Sequence, residues 1–211
     1  MIIPAILVNT FEEFTAHIKR VENLFDLAQI DVMDGEFVPN KSFSEIDEIN
    51  NLKTNIKFEL HLMVTHPLAE LQKWKNIKNI SRVIFHIESK DNPEEVINYC
   101  RGKCWQVGIA INPETGLETI KPYLNLIDEV LFLTVHPGKQ GALFLPEVGQ
   151  KIKEFAKIKT RLLCAVDGGI KMHNIKEVAS WGVDVFCVGS SLIMADDVKK
   201  TKEELMNEIS L

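Results

Sequence analysis

Short apolar runs rich in β-branched residues alternate with amphipathic stretches along the whole chain. This alternation is typical of βαβ units in a parallel sheet, because each buried strand is followed by a helix that covers it. The predicted strands are Ile2–Val8, Leu27–Met33, Lys57–Val64, Arg82–Glu88, Gln106–Asn112, Glu129–Val135, Leu162–Asp167 and Val185–Val188. Eight strand and helix pairs in 211 residues predict an α/β protein, a single (β/α)8 TIM barrel forming one domain over residues 1–211. A doubly wound open sheet is the alternative.

Some of the intervening helices carry recognisable start signals. Thr10 precedes Phe11-Glu12-Glu13, and Asn92 precedes Pro93-Glu94-Glu95. Thr and Asn side chains accept hydrogen bonds from the first free N–H groups of a helix, and proline is tolerated at its first position. Both sites therefore predict a helix N-terminus.

Composition and charge exclude several classes of protein. The formal net charge is -6 and there is no clustered basic stripe, which argues against nucleic acid as the main ligand. No apolar run is long enough to cross a bilayer, and the apolar N-terminus is too short and lacks the basic flank of a signal peptide. The cysteines, Cys100, Cys104, Cys164 and Cys187, form no CxxC pair. We therefore expect reduced thiols and a cytoplasmic protein.

Polar residues at the C-terminal ends of the predicted strands are the first candidates for function, since barrel active sites form there. Alternation along strand two puts Gln29, Asp31 and Met33 on one face, which points inward if Val32 faces the helices. Strand three gives Glu59, His61 and Met63 the same arrangement, while strand seven ends at Asp167. Two aspartates and a histidine are thus predicted to converge.

These groups suit one kind of chemistry. Two carboxylates on opposite sides of a substrate can remove a proton from one face and return it on the other, as an epimerisation requires. Imidazole and carboxylates also form a site for a divalent metal, which polarises a carbonyl. Asp31 and Asp167 are the candidate catalytic residues, and both are candidate metal ligands together with His61.

Other roles compete for some of these residues. An aspartate before glycine, such as Asp34, is frequently a turn former. His61 in an apolar strand has the alternative role of a hydrogen-bonded core histidine. Met33 and Met63 are core fillers by default and candidates for the wall of a substrate pocket. His86 is a candidate for the same pocket or for a place behind the ligands.

Glycines after the last strands indicate a phosphate site. Gly168-Gly169 follows strand seven and Gly189-Ser190-Ser191 follows strand eight, where barrels commonly hold a phosphate. Glycine lets backbone N–H groups approach the oxygens, and a short helix beginning there adds its positive end. Tight turns are the alternative. The connection Val135-His136-Pro137-Gly138-Lys139-Gln140-Gly141 after strand six is predicted to be a lid, with Gly138 and Gly141 contributing to phosphate binding and Lys139 supplying positive charge.

The decapeptide Asp31-Val32-Met33-Asp34-Gly35-Glu36-Phe37-Val38-Pro39-Asn40 resembles the signature of the ribulose-phosphate 3-epimerase family. Similar segments follow in family order: His61-Leu62-Met63-Val64, Asn112-Pro113-Glu114-Thr115, Thr134-Val135-His136-Pro137-Gly138, Phe144-Leu145-Pro146-Glu147-Val148, Val166-Asp167-Gly168-Gly169-Ile170 and Val188-Gly189-Ser190. They extend from the second predicted strand to the last.

The resemblance implies a metal-assisted proton transfer at C3 of D-ribulose 5-phosphate or D-xylulose 5-phosphate through a 2,3-enediolate. Asp31 and Asp167 would be the acid/base pair and metal ligands, with His61 a further ligand. The phosphate would lie against Gly168, Gly169, Gly189 and Ser190. The cofactor would be a divalent ion, Fe, Mn, Co, Zn or Mg, and the family resemblance suggests a homo-oligomer.

Departures from the family pattern cluster at the predicted site. Gln29 stands where the family has a second histidine ligand, and Ala5 stands where it has a serine. Leu133 replaces a methionine, and the lid reads Gly138-Lys139-Gln140-Gly141-Ala142 instead of Gly-Phe-Gly-Gly-Gln. A glutamine amide oxygen is a weaker ligand than imidazole for a soft-leaning metal and relatively favours an oxygen-loving one.

Two kinds of function follow. The first is an epimerase that acts on ribulose 5-phosphate or another ketose phosphate through Asp31 and Asp167. The second is a non-catalytic barrel that binds a sugar phosphate after losing the metal chemistry, since fold alone does not fix function. Gln29 and Ala5 are the residues that discriminate between them.

Overall fold

The computed structural model describes residues 1–43, 45–138, 141–159 and 161–210. Eight parallel strands close into a barrel in which each strand pairs with the next and the last pairs with the first. The strands are β1 (Ile2–Ile6), β2 (Leu27–Met33), β3 (Lys57–Met63), β4 (Ile80–His86), β5 (Gln106–Ile111), β6 (Glu129–Leu133), β7 (Leu163–Asp167) and β8 (Val185–Val188). The predicted (β/α)8 barrel is confirmed, and the open sheet is excluded.

The outer layer contains the helices α1 (Phe11–Val21), α2 (Pro67–Trp74), α3 (Pro93–Gly102), α4 (Val148–Ile158), α5 (Ile175–Ala179), α6 (Ser190–Ile193) and α7 (Val198–Ser210). Both predicted caps are present. The Thr10 hydroxyl accepts a hydrogen bond from the Glu13 N–H at 3.2 Å, and the Asn92 side chain accepts one from the Glu94 N–H at 2.9 Å. Each cap satisfies a backbone donor that has no partner within the helix.

Two connections carry 3-10 helices in place of an α-helix. The described residues between β2 and β3 form one at Ile46–Asn51, and those between β5 and β6 form two at Leu117–Thr119 and Lys121–Tyr123. The prediction of a regular strand and helix pair is therefore wrong at these two places. Gly116 and Pro122 disfavour a continuous α-helix in the second connection, because glycine is flexible and proline lacks the N–H.

Side chains of the strands divide between two apolar regions. Residues that point outward pack under the helices in a large core that includes Phe14, Phe58, Trp74, Phe132 and Phe155. Residues that point inward fill the barrel interior, where the apolar members are Ile3, Ala5, Ile84, Ala110, Leu131, Leu133, Ala165, Val185 and Cys187. The alternation of strand residues thus decides which side chains can reach an interior site.

A charged group also lies inside the barrel, toward the N-terminal ends of the strands. Arg82 on β4 forms ion pairs with Glu59 on β3 and Glu129 on β6, and each of the three is at most 2% exposed. Burial and the Glu59 charge raise the pKa of Glu129 to about 8, although Arg82 opposes the shift. Burial also raises the pKa of Glu59, against the charge and the hydrogen bond of Arg82, so both carboxyl groups hold a proton more readily than an exposed glutamate does.

Two observations concern the expected reduced thiols and the expected lack of a membrane-spanning segment. Cys100, Cys164 and Cys187 are buried and Cys104 is exposed, and all four are free. Within the described ranges, no helix has both the length and the apolar character needed to cross a membrane.

Candidate active site

Three strands bring the candidate catalytic residues together inside the C-terminal end of the barrel. Asp31 on β2 is the register partner of His61 on β3, and Asp167 ends β7 across the ring. One ligand atom from each of the three side chains lies within 4.8 Å of the others. The structure therefore assembles two carboxylates and an imidazole from residues far apart in sequence.

Gln29 completes a compact set of four polar atoms. Its Nε2 donates to Asp31 Oδ1 at 2.8 Å and to Asp167 Oδ2 at 2.8 Å. His61 Nδ1 lies 2.9 Å from the same Asp31 oxygen and 3.4 Å from the same Asp167 oxygen. Two nitrogens thus face two carboxylate oxygens, and each nitrogen contacts both.

The electrostatics of this set follow from burial and pairing. Burial and the neighbouring Asp167 carboxylate raise the pKa of Asp31, while His61 and Gln29 oppose the shift. Burial alone would lower the pKa of His61, but the hydrogen bonds and charges of Asp167 and Asp31 outweigh it and raise that pKa to about 10. In the absence of a metal, His61 is therefore an imidazolium that partly neutralises the carboxylate pair.

A second histidine lies behind the first. His61 Nε2 and His86 Nε2 are 3.0 Å apart, and His86 Nδ1 lies 3.2 Å from Glu88 Oε2. Burial lowers the pKa of His86 to about 4, against the opposing effect of Glu88. His86 is therefore neutral: its Nδ1–H donates to Glu88, and its Nε2 accepts from the Nε2–H of His61.

The donor set fits a divalent metal ion. Two carboxylates and one imidazole are the ligand types that such ions take in proteins, and the hydrogen bond to His86 leaves His61 Nδ1 as the nitrogen that faces the carboxylates. Binding there requires that the Nδ1 proton leave. Gln29 Oε1 is buried and has no hydrogen-bond partner in the described part of the chain, whereas Gln29 Nε2 is the atom turned toward the carboxylates.

A cavity of about 320 Å³ opens above Asp31, His61 and Asp167. Its wall includes every glycine and serine of the predicted phosphate set, namely Gly138, Gly141, Gly168, Gly169, Gly189 and Ser190. Gly168 has φ +111, and a Cβ there would lie 2.5 Å from Val135 Cγ2, so only glycine fits this turn. The size lies at the lower end of the range for small-molecule sites.

The remaining predicted residues take different places. Met63 lines the cavity, and Met33 packs with Met63 and Val38 in a small cluster beside it. His86 lies behind His61 with no exposed surface. Asp34 is a turn residue, since its carboxylate accepts from the backbone N–H groups of Glu36, Phe37 and Thr65. Lys139 lies outside the described residues.

Two further residues of the cavity wall were missed by the sequence-based prediction. Lys171 and His173 line the cavity with Gly168 and Gly169. Both residues follow closely after Gly168-Gly169-Ile170, which comes directly after β7. This position in the sequence could have identified them. The departures Ala5 and Leu133 line the same cavity, so they alter its wall directly.

Comparison with known proteins assigns the chain to a family. Residues 1–193 match the model of the ribulose-phosphate 3 epimerase family. The chain is 30% identical to the ribulose-phosphate 3-epimerase of Schizosaccharomyces pombe over 99% of its own length and 93% of that protein. It is 34% identical to the enzyme of the same name from Mycobacterium tuberculosis, over 93% of this chain and 87% of the relative.

A solved structure extends the likeness at the level of fold. The 3-hexulose-6-phosphate synthase of Salmonella typhimurium aligns with a TM-score of 0.74 at 16% identity, covering 99% of this chain and 98% of that one. Family match, sequence identity over nearly the full length and barrel architecture agree. The chain belongs to the ribulose-phosphate 3-epimerase family.

Proposed function

We propose that this protein epimerises a ketose phosphate at C3 and interconverts D-ribulose 5-phosphate and D-xylulose 5-phosphate. One observation carries the proposal: Asp31 and Asp167 reach the same cavity from β2 and β7, and each lies 2.8 Å from the single nitrogen Gln29 Nε2. A pair of carboxylates held this way can act on the two faces of one carbon. Membership of the family supports the same reaction.

The proton transfer is assigned to the two carboxylates. One aspartate removes the C3 proton as a carboxylate, and the other, as a carboxylic acid, delivers a proton to the opposite face of the planar 2,3-enediolate. The raised pKa of Asp31 suits a group that must hold a proton in part of the cycle. The reverse reaction exchanges the two roles.

Asp31, His61 and Asp167 would hold the metal ion, and their mixed oxygen and nitrogen donors suit Fe, Mn, Co, Zn or Mg. When bound, such an ion polarises the substrate carbonyl and stabilises the negative charge of the enediolate. The apolar residues Leu133 and Met63 in the same wall limit access of water to the reacting carbon.

The phosphate group is assigned to the side of the cavity formed by the loops after β7 and β8. Gly168, Gly169 and Gly189 bring backbone close to the cavity there, and Ser190 lines it as well. Lys171 lies along the same wall and offers positive charge in a chain whose net charge is -6, and His173 lies beside it with ring nitrogens that can hydrogen-bond to an oxygen. This arrangement suits a dianionic phosphate.

A second candidate is a non-catalytic sugar-phosphate-binding barrel, and Gln29 and Ala5 favour it because both depart from the family pattern. The test incubates the purified protein with D-ribulose 5-phosphate and each of the five metals and follows xylulose 5-phosphate by ¹³C NMR. Epimer formation that disappears in Asp167→Asn supports the enzyme. Binding of the sugar phosphate without epimer formation under any metal supports the binding protein.

The cellular setting is proposed on general grounds. Three buried free thiols and the absence of disulfides among the described cysteines suit a cytoplasmic protein. A homo-oligomer stays a prediction from the family resemblance. The acidic net charge favours a small-molecule ligand over nucleic acid.

A further inference from the structure

The side-chain amide of Gln29 points its nitrogen, and not its oxygen, at the two catalytic carboxylates. Gln29 is fully buried, and its two N–H bonds match its two acceptors, Asp31 Oδ1 and Asp167 Oδ2, both at 2.8 Å. A primary amide has two donors on nitrogen, so both are used. Its Oε1 has no hydrogen-bond partner among the described residues.

The opposite orientation is disfavoured by simple electrostatics. Turning the amide over would place Oε1 at the position of Nε2, where the amide would donate no hydrogen bond to either carboxylate oxygen. It would also bury two N–H donors where no hydrogen bond to the present Oε1 is found, and each unsatisfied buried donor is costly. The carboxylates therefore hold the amide with its nitrogen inward.

We propose that Gln29 is a positioning residue that holds the two catalytic carboxylates through its Nε2–H bonds and does not ligate the metal. This inference rests on the proposed function. Gln29 is then a hydrogen-bond clamp and not a weak fourth ligand. The clamp fixes the separation of Asp31 and Asp167. The protein ligands of the metal are Asp31, His61 and Asp167.

The clamp has two consequences for affinity and rate. Removing the amide takes one charge-assisted hydrogen bond from each carboxylate, so we expect kcat to fall about tenfold while KM for the sugar phosphate changes little. Metal affinity should fall by about tenfold at most, because a hydrogen-bond partner of two ligands is lost but no ligand. Loss of a ligand such as His61 should weaken metal binding further, by about 100-fold or more, because a coordination bond itself is lost.

The experiment compares Gln29→Leu, which keeps a buried branched side chain but removes the amide, with His61→Leu and with the exposed Gln106→Leu as a matched control. Metal affinity is measured by equilibrium dialysis with Zn²⁺ and Mn²⁺. Gln29→Leu should bind both metals at least about tenfold more tightly than His61→Leu does, and should lose rate through kcat. A loss of metal affinity in Gln29→Leu equal to that in His61→Leu would overturn the proposal.

A second measurement uses unmutated protein and is independent of the folding of any Gln29 variant. The side-chain amide of Gln29 is assigned by ¹⁵N NMR as the signal absent from Gln29→Leu, or by its response to Asp31→Asn and Asp167→Asn if Gln29→Leu does not fold. Both protons should be protected from exchange without metal and should stay protected when diamagnetic Zn²⁺ is added. Rapid exchange without metal, or loss of protection on adding Zn²⁺, contradicts the clamp. Protected protons in a protein without epimerase activity would leave the clamp standing and remove the proposed function.

Discussion

His61 and His86 share one hydrogen bond between their Nε2 atoms, 3.0 Å apart, and their pKa values are displaced in opposite directions, to about 10 and about 4. The charge therefore belongs to His61, the ring that faces the two aspartates. His86 is the neutral acceptor that fixes the orientation of His61 from behind. In metal sites, loss of a residue that hydrogen-bonds to a metal ligand typically lowers metal affinity or activity by about 10- to 100-fold.

Replacing His86 tests this role. His86→Phe keeps a ring against Phe37 but removes the acceptor for His61 Nε2–H, so we expect metal affinity or kcat to fall by about 10- to 100-fold. Metal titration and initial rates measure the two quantities. His66→Phe, at a largely exposed histidine, is the control. Wild-type behaviour in both quantities would show that His61 is oriented without His86.

The two aspartates should be separable from phosphate binding. Asp31→Asn and Asp167→Asn each keep the side-chain size but remove the carboxylate, so each should abolish proton exchange at C3. Calorimetric affinity for a sugar phosphate should stay largely intact, because the glycine loops are separate from the pair. Unaltered turnover in Asp167→Asn would remove that residue from the mechanism.

The phosphate assignment is best tested at Gly189. A Cβ there would meet its nearest neighbour, Ala5 O, at 3.6 Å, which is ordinary contact, so the Cβ itself clashes with nothing. Gly189→Leu should nevertheless raise KM steeply by blocking the approach of phosphate to the backbone. Gly102→Leu, at a position open to solvent, controls for added bulk. Unchanged affinity for the sugar phosphate would contradict the assignment.

The charged group inside the barrel predicts a pH-dependent stability. The pKa of Glu129 is about 8 in the folded chain, above the value of about 4.3 for an unfolded glutamate, so the folded chain keeps a proton that the unfolded chain releases. The free energy of unfolding should therefore fall as pH rises from about 4.5 to about 8, by at most about 1.4 kcal/mol per pH unit.

Glu129→Gln should remove this contribution, because the amide does not titrate. Urea unfolding of wild type and variant at several pH values measures it, with the exposed Glu203→Gln as the control. The difference in stability between Glu129→Gln and wild type should grow in favour of the variant toward pH 8. Parallel curves would mean that Glu129 is already ionised in the folded protein.

Local pattern was sufficient to predict the inward-facing residues of the strands. Alternation alone put Gln29 and Asp31 on one face and Glu59 and His61 on another, and both predictions agree with the barrel because a strand has only two faces. The glycine segments after β7 and β8 line the cavity for a similarly local reason. Strand bounds differ from prediction by at most two residues at each end.

Contacts between side chains of distant strands could not be predicted from the sequence. The pairing of Arg82 with Glu129 depends on the stagger of β4 against β6, and the contact of Gln29 with Asp167 depends on closure of the ring. Neither is encoded in a single segment. The orientation of the Gln29 amide is a further example, since the choice between oxygen and nitrogen is made by partners from two other strand positions.

We propose that Asp31 and Asp167 remove and return the proton at C3 of a ketose phosphate. The most direct measurement is the uptake of deuterium from heavy water at C3 of D-ribulose 5-phosphate, followed by NMR with saturating divalent metal. Deuterium should appear at C3 of both ribulose and xylulose 5-phosphate, with only background exchange in Asp31→Asn and Asp167→Asn. Background exchange in the wild-type protein, with the sugar phosphate bound and each of the five metals supplied, would contradict it.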